Sequence, residues 1–319
     1  MTNIKFIPKV YIIVLNWNKL NDTIECIESI YKLKYENFKI ILVDNGSTEI
    51  SPDIIKDKYK DIILIKNKQN LGFAEGNNVG IRFALSNGAD YIWLLNNDTV
   101  VDPNALVTMV DVGEKLSECG ILGSKIYYYG QPEVIWFAGA TINWRKATSN
   151  HIGQNQKDQA KYNSIGEVER VTGCSMLVKR DVCERIGLMD ENLFLYAEEL
   201  DWCVRAKKVG YKILYIPDSK VYHKISLSTG NNYGVIFNYF NTRNFLYVIR
   251  KNMPFPKREY YLINALFYRI LECRKTLRNM IKPKFWSESN NMNVDIFKLR
   301  GVLDFFTGRM GKGYFKEMM

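Results

Sequence analysis

Two short polar segments hold the side chains in this sequence whose types and spacing could do chemistry. The segment NND at residues 96–98 follows the apolar run YIWLL, and EELD stands at residues 198–201. Carboxylate and amide oxygens are the ligands that hard divalent cations prefer. A carboxylate can also remove a proton as a general base. Asn and Asp are also common in ordinary turns, so the surrounding elements decide between a turn and a site.

Polar segments follow each of the apolar runs that we interpret as strands in the first third of the chain. The runs at residues 10–15, 38–43, 62–65 and 91–95 are continuously apolar, which is typical of strands covered on both faces. Helical patterns separate them, and this alternation predicts a parallel sheet. The carboxyl ends of parallel strands share one edge, where ligands bind. We therefore expect one site, built from residues 16–18, 44–47, 67–72 and 96–98.

Composition and motif spacing exclude several classes of protein. With 319 residues and 47% hydrophobic content, the chain predicts a globular fold with a full core. It has neither GxGxxG after the first strand nor GxxxxGK[ST], which argues against a dinucleotide-binding fold and a P-loop NTPase. Six cysteines without metal-type spacing and two histidines favour buried free thiols over a zinc site. We predict neither a secretory signal nor a membrane span.

The positive charge is concentrated at the end of the chain. Residues 240–319 hold 16 of the 44 Lys and Arg but 6 of the 34 Asp and Glu, whereas the first 239 residues hold 28 of each. The last quarter thus carries the whole net charge of +10, which points to an acidic partner. Aromatic residues stand among these cations, as in nucleic-acid-binding surfaces and interfacial helices on anionic lipid. A solvated helical bundle with a basic face is the third interpretation.

Six segments in collinear order resemble family 2 glycosyltransferases, and within them the rhamnosyltransferase-like branch. They are VLNWN (14–18), VDNGST (43–48), NLGFAEGNNVG (70–80), LLNNDTVVDP (94–103), TGCSMLVKRDVCERIGLMDENLFLYAEELDWCVRAKKVGY (172–211) and VYH (221–223). The resemblance implies an α/β fold of the GT-A type, a Rossmann-like and mainly parallel sheet flanked by helices. It implies inverting transfer of rhamnose or another hexose from a UDP- or dTDP-sugar to a saccharide acceptor, in the assembly of a cell-surface polysaccharide or glycan.

The pattern of elements and the composition along the chain, together with the resemblance, predict a division of the chain. The catalytic domain would span residues 1–235, with a nucleotide-binding half at about 8–118 and an acceptor half at about 119–235. Residues 236–319 would form a basic helical region through which the protein could form oligomers.

The resemblance assigns the NND segment to the metal and the donor. It stands where the family carries a DxD-type motif, whose last position binds a divalent cation, here Mn²⁺ or Mg²⁺ at Asp98. Asn96 replaces the first acid, but it can still bond a sugar hydroxyl, and Asn97 belongs to the same donor site. His223 would be a second metal ligand or a phosphate contact.

The resemblance also assigns the catalytic base and the remaining donor contacts. Glu199 aligns with the base that deprotonates the acceptor, and Glu198 or Asp201 could share this role. The acids of a helix N-terminus that favour the helix dipole are the alternative interpretation. Asp44 would accept a hydrogen bond from the pyrimidine N3–H. Further donor contacts are expected from Asn16, Asn18 and Asn77, with close backbone approach at Gly72 and Gly173.

An acceptor carried on a lipid diphosphate favours the membrane interpretation of the basic tail. We therefore expect a cytoplasmic enzyme that is peripheral on the inner face of the plasma membrane. Two rivals are weaker. A nucleotidyltransferase would carry a Gly-rich, basic loop after the first strand, where this chain has NWNKLNDT. A scaffold or nucleic-acid-binding protein would have a basic track across the fold, but the first 239 residues are neutral, so we expect no nucleic acid.

Overall fold

A computed structural model describes residues 7–49, 51–224, 233–280 and 294–315. Strands and helices alternate through its first third, and the predicted parallel arrangement is confirmed there. The elements are β1 (Val10–Asn16), α1 (Leu20–Ile30), β2 (Phe38–Asp44), α2 (Ser51–Lys58), β3 (Ile63–Lys66), α3 (Gly72–Ser86) and β4 (Tyr91–Asn96). Continuous apolar runs form these strands because helices cover both faces of the sheet.

Strand β1 lies at the centre of the parallel part, between β2 and β4. In this register Asn16 pairs with Asp44, and Leu15 pairs with Asn96. The polar residues that end these three strands therefore lie at the same edge of the sheet.

The following elements extend this sheet with strands of both directions. They are β5 (Thr99–Val101), α4 (Ala105–Lys115), β6 (Cys119–Tyr128), β7 (Gln131–Phe137), β8 (Ala140–Asn143), β9 (Thr148–His151), β10 (Gln156–Lys157), β11 (Gly166–Glu167), β12 (Ser175–Lys179), α5 (Arg180–Ile186), α6 (Glu198–Lys208) and β13 (Lys212–His223). The sheet order is β10-β7-β6-β12-β4-β1-β2-β3, with β12 antiparallel to β4 and to β6. Strand β13 pairs with β6 and with the short β5, so it returns to the NND edge.

The basic C-terminal region is helical in the part of the chain that the structure describes. It contains α7 (Tyr233–Asn252), α8 (Lys257–Met280) and α9 (Val294–Phe306). The predicted boundary between residues 235 and 236 thus falls inside the first turn of α7. Buried side chains of α7 share a hydrophobic cluster with Leu193, Ala197 and Leu200, so this helix packs directly against the segment that precedes α6.

Two further observations concern the cysteines and the helices. All six cysteines are buried and unpaired, as small hydrophobic side chains. Within the four described ranges, no helix combines the length and the apolar character that crossing a membrane requires.

Candidate active site

Asp44, at the end of β2, holds a buried carboxylate at the strand edge. Its side chain is 5% exposed. The Oδ1 atom accepts hydrogen bonds from the Asn16 amide at 3.5 Å and from the Ser47 backbone N–H at 3.2 Å. Both donors are neutral, so the acceptor capacity and the negative charge of this carboxylate suit an N–H group of a ligand.

A hydrogen-bond network joins this carboxylate to the NND segment. The Thr23 hydroxyl donates to Asn16 Oδ1 at 2.8 Å. The Asn97 amide donates to Thr23 Oγ1 at 2.9 Å and to Asn16 Oδ1 at 3.4 Å. Asn97 is therefore held by the first strand and the first helix. Sequence reasoning missed Thr23, because nothing in its position before an apolar helical run distinguishes it from a surface residue.

The turn after β1 is fixed to the turn after β2. Asn18 has a φ of 60°, in the left-handed region. Its backbone N–H donates to Ser47 Oγ at 2.8 Å, and its Oδ1 accepts from the Thr48 N–H at 3.0 Å. The structure thus brings Asn18 into the same edge as Asn16 and Asp44. Asn45, which follows Asp44, donates to Asn70 Oδ1 and to the Gly72 carbonyl, both at 3.0 Å. It thereby anchors the third polar segment, residues 67–72.

Three of the residues assigned to the donor by resemblance have packing contacts in the structure. Gly72 has a φ of +81°, and a Cβ there would collide with the backbone oxygen and ring of Phe194. A Cβ on Gly173 would lie 2.8 Å from the ring of Phe73. Asn77 is 1% exposed, and its amide donates to the Phe73 carbonyl at 2.9 Å. These contacts explain the residue types by packing, and the donor contacts of all three stay predictions.

Asp98 and His223 form the other end of the site. Because β13 pairs with β5, His223 lies opposite Thr99, next to Asp98. The distance from His223 Nε2 to Asp98 Oδ1 is 3.1 Å, and the two side chains are 11% and 16% exposed. Burial disfavours the charged imidazole, whereas the Asp98 carboxylate beside it favours that form, and the pKa of His223 is raised above its usual value.

The donor set at this end suits a cation that a ligand helps to hold. Among the described residues, no group of three or more His, Cys, Asp and Glu side chains forms a ready-made metal cage. Asp98 offers a carboxylate oxygen, and His223 can offer its Nε2 lone pair once a cation displaces the proton there. A divalent ion bound between them would need further oxygen ligands from the bound donor. Asn96 lies beside them at the end of β4, with its backbone N–H bonded to the Cys174 carbonyl at 3.1 Å.

An aromatic side chain that sequence reasoning missed stands beside this pair. The Trp136 ring packs edge-on against His223 with centroids 4.6 Å apart, and against His151 at 4.9 Å. This contact depends on how β7 and β13 flank β6, which no local sequence pattern reveals. Trp136 therefore forms a wall of the Asp98–His223 end of the site.

Glu199 lies in the first turn of α6 and is held by a buried arginine. Its Oε1 accepts from Arg170 Nη1 at 3.1 Å, and its side chain remains 15% exposed. Arg170 is in turn fixed by a hydrogen bond from Nε to Ser149 Oγ at 2.8 Å. A carboxylate that is oriented by a neighbour and still reachable has the geometry that a general base needs. Arg170 and Ser149 carry no recognisable motif in the sequence.

Glu198 has a different environment. The residue is 4% exposed, and its Oε2 has no hydrogen-bond partner among the described residues. Burial and the neighbouring Glu199 raise the pKa of Glu198 well above its usual value. A carboxyl whose anionic form is disfavoured by burial and by a neighbouring acid is poorly suited to remove a proton, and this argues against Glu198 as the base.

Asp201, the other carboxylate predicted as a possible base, has an environment that argues for a structural role. It is fully buried. Its carboxylate bonds Arg205 Nε at 2.7 Å, Lys251 Nζ at 3.0 Å and the Asn252 amide at 2.7 Å. A carboxylate paired with two cations inside the protein holds α6 against α7, and this burial argues against contact with an acceptor.

The sequence is similar to those of known sugar transferases. The chain is 25% identical over 256 residues to dTDP-rhamnosyl transferase RfbF of Shigella flexneri, across 76% of this chain and 80% of that protein. It is 24% identical over 213 residues to the N-acetylglucosaminyl-diphospho-decaprenol L-rhamnosyltransferase of Mycobacterium tuberculosis, across 60% and 68%.

The fold is similar to that of a solved glycosyltransferase, and the GT-A prediction is confirmed. The mannosyltransferase PcManGT from Pyrobaculum calidifontis, in complex with GDP-Man and Mn²⁺, superimposes with a TM-score of 0.60 at 14% identity, over 96% of this chain and 89% of that one. The sequence profile of glycosyl transferase family 2 matches residues 11–187. This match spans more than half of the chain, and the protein therefore belongs to glycosyl transferase family 2.

Proposed function

We propose that this glycosyltransferase moves rhamnose or another hexose, with inversion, from a UDP- or dTDP-sugar to a saccharide acceptor. The observation that carries the proposal is the network from Asp44 through Asn16 to Asn97. Asn97 is followed directly by Asp98. The carboxyl edge of the sheet therefore carries the buried carboxylate of Asp44 on one side and a candidate cation site at Asp98 on the other. A nucleoside diphosphate offers the complementary groups, a base with an N–H for the carboxylate and a diphosphate for the cation.

Asp44 is suited to a pyrimidine base. Uracil and thymine each present an N3–H between two carbonyls, and a carboxylate can accept from that N–H. This contact does not distinguish uracil from thymine, because the methyl group by which they differ lies elsewhere on the ring. The relative named dTDP-rhamnosyl transferase supports a thymidine donor, whereas the PcManGT complex holds GDP-Man on a similar fold. The choice of base therefore depends on residues such as Asp44 and not on the fold.

Asp98 and His223 would hold a divalent cation. Such an ion would stabilise the charge that develops on the diphosphate leaving group. The carboxylate oxygen suits either Mg²⁺ or Mn²⁺, but the imidazole nitrogen favours Mn²⁺, since Mg²⁺ prefers oxygen ligands. The Mn²⁺ in the PcManGT complex supports this assignment.

Glu199 would serve as the general base. The acceptor hydroxyl gives its proton to a Glu199 oxygen while the hydroxyl oxygen bonds to the anomeric carbon. The bond from that carbon to the diphosphate oxygen breaks on the opposite side, so the configuration inverts. Arg170 keeps Glu199 in place for this step through the contact at 3.1 Å. Because burial disfavours the anionic form of Glu198 and Asp201 is buried among cations, Glu199 is the carboxylate of this segment that we assign to proton removal.

We further propose that the acceptor is lipid-linked and that α8 carries the membrane-facing surface. Between Lys257 and Arg278, the exposed side chains that the structure describes are apolar, aromatic or cationic without exception. They recur every three or four residues along one face of the helix, which is the pattern of an interfacial helix. We call this set the α8 stripe; its members are Lys257, Tyr260, Ile263, Phe267, Ile270, Leu271, Arg274 and Arg278.

The composition of the α8 stripe favours an anionic lipid surface over a second copy of the chain. Ile263 and Phe267 are 66% and 61% exposed, and Phe255 before the helix is 76% exposed. Cations stand at both ends of the stripe, so antiparallel contact between two copies would bring cations together. Each Lys or Arg near an anionic membrane contributes about 1 kcal/mol. A relative that acts on a diphospho-decaprenol-linked sugar supports an acceptor at a membrane.

A donor and product screen tests the proposed function directly. Full-chain protein with Mn²⁺ is incubated with UDP-, dTDP- and GDP-sugars and a prenyl-diphosphate-linked sugar, and nucleotide release and the new anomeric signal are followed by NMR. We expect release of UDP or dTDP and a product with inverted configuration. Retained configuration would contradict the inverting mechanism. Release of sugar 1-phosphate, the leaving group when the α-phosphorus of the donor is attacked, would indicate nucleotidyl transfer instead.

A further inference from the structure

The side-chain amide of Asn244, on α7, lies inside a ring of backbone carbonyls. Its Nδ2 lies 2.8 Å from the Leu193 carbonyl, 2.9 Å from that of Leu195 and 2.7 Å from that of Tyr196. Asn244 is fully buried. Three carbonyls converge on one amide only when the segment that carries them curls tightly around it, and these carbonyls belong to residues 193–196, just before the acidic segment.

Arg243 fixes the orientation of that amide. Its Nε donates to Asn244 Oδ1 at 2.9 Å, and its Nη2 donates to the Leu193 carbonyl at 3.3 Å. Arg243 is itself fully buried, with its guanidinium 4.9 Å from the centre of the Phe240 ring. Because the arginine can only donate, it holds Oδ1 of Asn244 on its own side and turns Nδ2 toward the carbonyls.

The curled segment has a backbone conformation that needs such support. Phe194, Tyr196 and Ala197 have φ values of 60°, 66° and 70°. These left-handed values are unfavourable for residues other than glycine and persist where the surroundings enforce them. Ala197 is the residue before Glu198, where α6 begins. The conformation of this segment therefore sets the position of Glu199 in the first turn.

The same segment also contacts the donor side of the site. The Phe194 carbonyl accepts a hydrogen bond from the Phe73 N–H at 2.6 Å. Gly72, the first residue of α3, has no Cβ, which leaves room for this approach. One segment thus touches the start of α3, the start of α6 and the amide on α7.

We propose that Asn244, oriented by Arg243, is a positioning residue that holds residues 193–197 in the conformation that directs Glu199 toward the acceptor. This inference rests on the proposed role of Glu199 as the base. It makes the C-terminal helices part of the catalytic apparatus, since the amide that organises the segment comes from α7.

The test compares Asn244→Asp and Asn244→Ala with the wild-type full chain. Asp is isosteric but cannot donate to carbonyls, and Ala removes the donor without adding a charge. We expect kcat to fall by about 10²-fold at most, the cost of misplacing a catalytic group by roughly an ångström. The donor KM and the donor Kd by calorimetry should change less than kcat, because the Phe194 carbonyl that meets α3 is not one of the carbonyls bonded to Asn244. Asn238→Asp is the matched control, because this amide, also on α7, bonds the Gly234 carbonyl of its own helix.

A double-variant cycle separates positioning from a general structural defect. If Asn244 acts through Glu199, then adding Asn244→Ala to Glu199→Gln should cost little further rate. An equal fold-loss in both backgrounds would overturn the proposal. Unchanged kcat in the single variants, or failure of both to fold by circular dichroism, would also overturn it.

The outcomes also distinguish this inference from the proposed function. Full turnover in Glu199→Gln would contradict the proposed base, whatever Asn244 does. Loss of turnover in Glu199→Gln together with full turnover in Asn244→Ala would leave the base in place and reject only the positioning role.

Discussion

The carboxylate of Asp98 lies 3.1 Å from His223 Nε2, although the two residues are 125 positions apart. Their meeting depends on β13, whose last residues pair with the short strand that follows Asp98. The Lys224 N–H also donates to the Asp98 carbonyl at 2.9 Å, so backbone and side chain hold the two segments together. This relationship makes the candidate cation site a product of the fold and not of either segment alone.

Removing either member of this pair should abolish cation-dependent donor binding. Asp98→Asn keeps a hydrogen-bonding side chain but loses the anionic oxygen that a hard cation prefers. Because metal charge stabilisation contributes several kcal/mol, we expect the transfer rate to fall by about 10²-fold or more. Calorimetry with UDP and Mn²⁺ should show no cation dependence in Asp98→Asn or His223→Ala.

His151→Ala is the matched control for this pair. Its ring packs against the same Trp136, yet it bonds the Trp136 carbonyl and not Asp98. This variant should keep Mn²⁺-dependent binding. Undiminished binding in His223→Ala together with a loss in His151→Ala would place the cation elsewhere.

Asp44→Asn should weaken binding of pyrimidine nucleotides. The Asn side chain has one acceptor oxygen in place of two, so the N–H of a ligand can face the NH₂ group of the new side chain. An unsatisfied buried donor costs about 1–3 kcal/mol, which predicts a loss of roughly 10- to 100-fold in affinity for UDP. Asp53→Asn, at a carboxylate that is 61% exposed and pairs with Lys66, should bind UDP normally. Equal affinity of the wild type for GDP and UDP would contradict the assignment of Asp44.

The raised pKa of Glu198 predicts a dependence of stability on pH. A carboxyl whose pKa is higher in the folded than in the unfolded state favours folding while it is protonated. Its contribution is therefore complete below the unfolded value of about 4.5 and is lost as the pH rises toward the folded value. Glu198→Gln stays neutral, so it should gain melting temperature over the wild type near pH 7 and lose that gain near pH 4. A gain that is the same at both pH values would contradict the prediction.

The parallel strands and their polar ends could be predicted because the signals are local. Continuous apolar runs mark buried strands, and Asn16, Asp44 and Asn96 each stand where such a run stops. Since parallel strands end on one edge, their meeting follows from topology alone. The resemblance added the roles of Asp98, His223 and Glu199, which local patterns do not give.

The remaining parts of the site depend on contacts between distant segments. Arg170 reaches Glu199 from the chain before β12, and Asn244 reaches the same region from α7. Asp201 was expected as a residue that could share the role of Glu199, but the cations that surround it come from α7 as well as α6. Sequence spacing cannot show which carboxylate of one helical turn faces solvent and which faces a neighbouring helix.

Negative charge introduced into the α8 stripe should prevent membrane attachment. The double variant Ile263→Glu/Phe267→Glu places two acids at exposed positions in its middle, so folding should be preserved while apolar insertion and attraction to anionic lipid are lost. We expect the wild type, but not this variant, to pellet with anionic vesicles at low salt. The attachment should weaken at high salt, because the Debye length shrinks.

An exposed apolar residue outside the α8 stripe provides the control for this experiment. Ile165 is 50% exposed and lies in the acceptor half, so Ile165→Glu should sediment like the wild type. Wild-type protein that stays in the supernatant with anionic vesicles at low salt would contradict the membrane surface. A concentration-dependent dimer lost in the double variant would assign the α8 stripe to self-association.

The single-turnover rate of Glu199→Gln, at saturating donor and Mn²⁺, tests the central claim most directly. Removing a general base typically costs roughly 10²- to 10⁴-fold in rate, so this variant should bind donor normally and transfer sugar that much more slowly. Glu198→Gln, one residue away and at a carboxyl whose anionic form burial disfavours, should keep most of the rate. A Glu199→Gln variant that transfers at the wild-type rate, or a Glu198→Gln variant that shows the loss instead, would contradict Glu199 as the base.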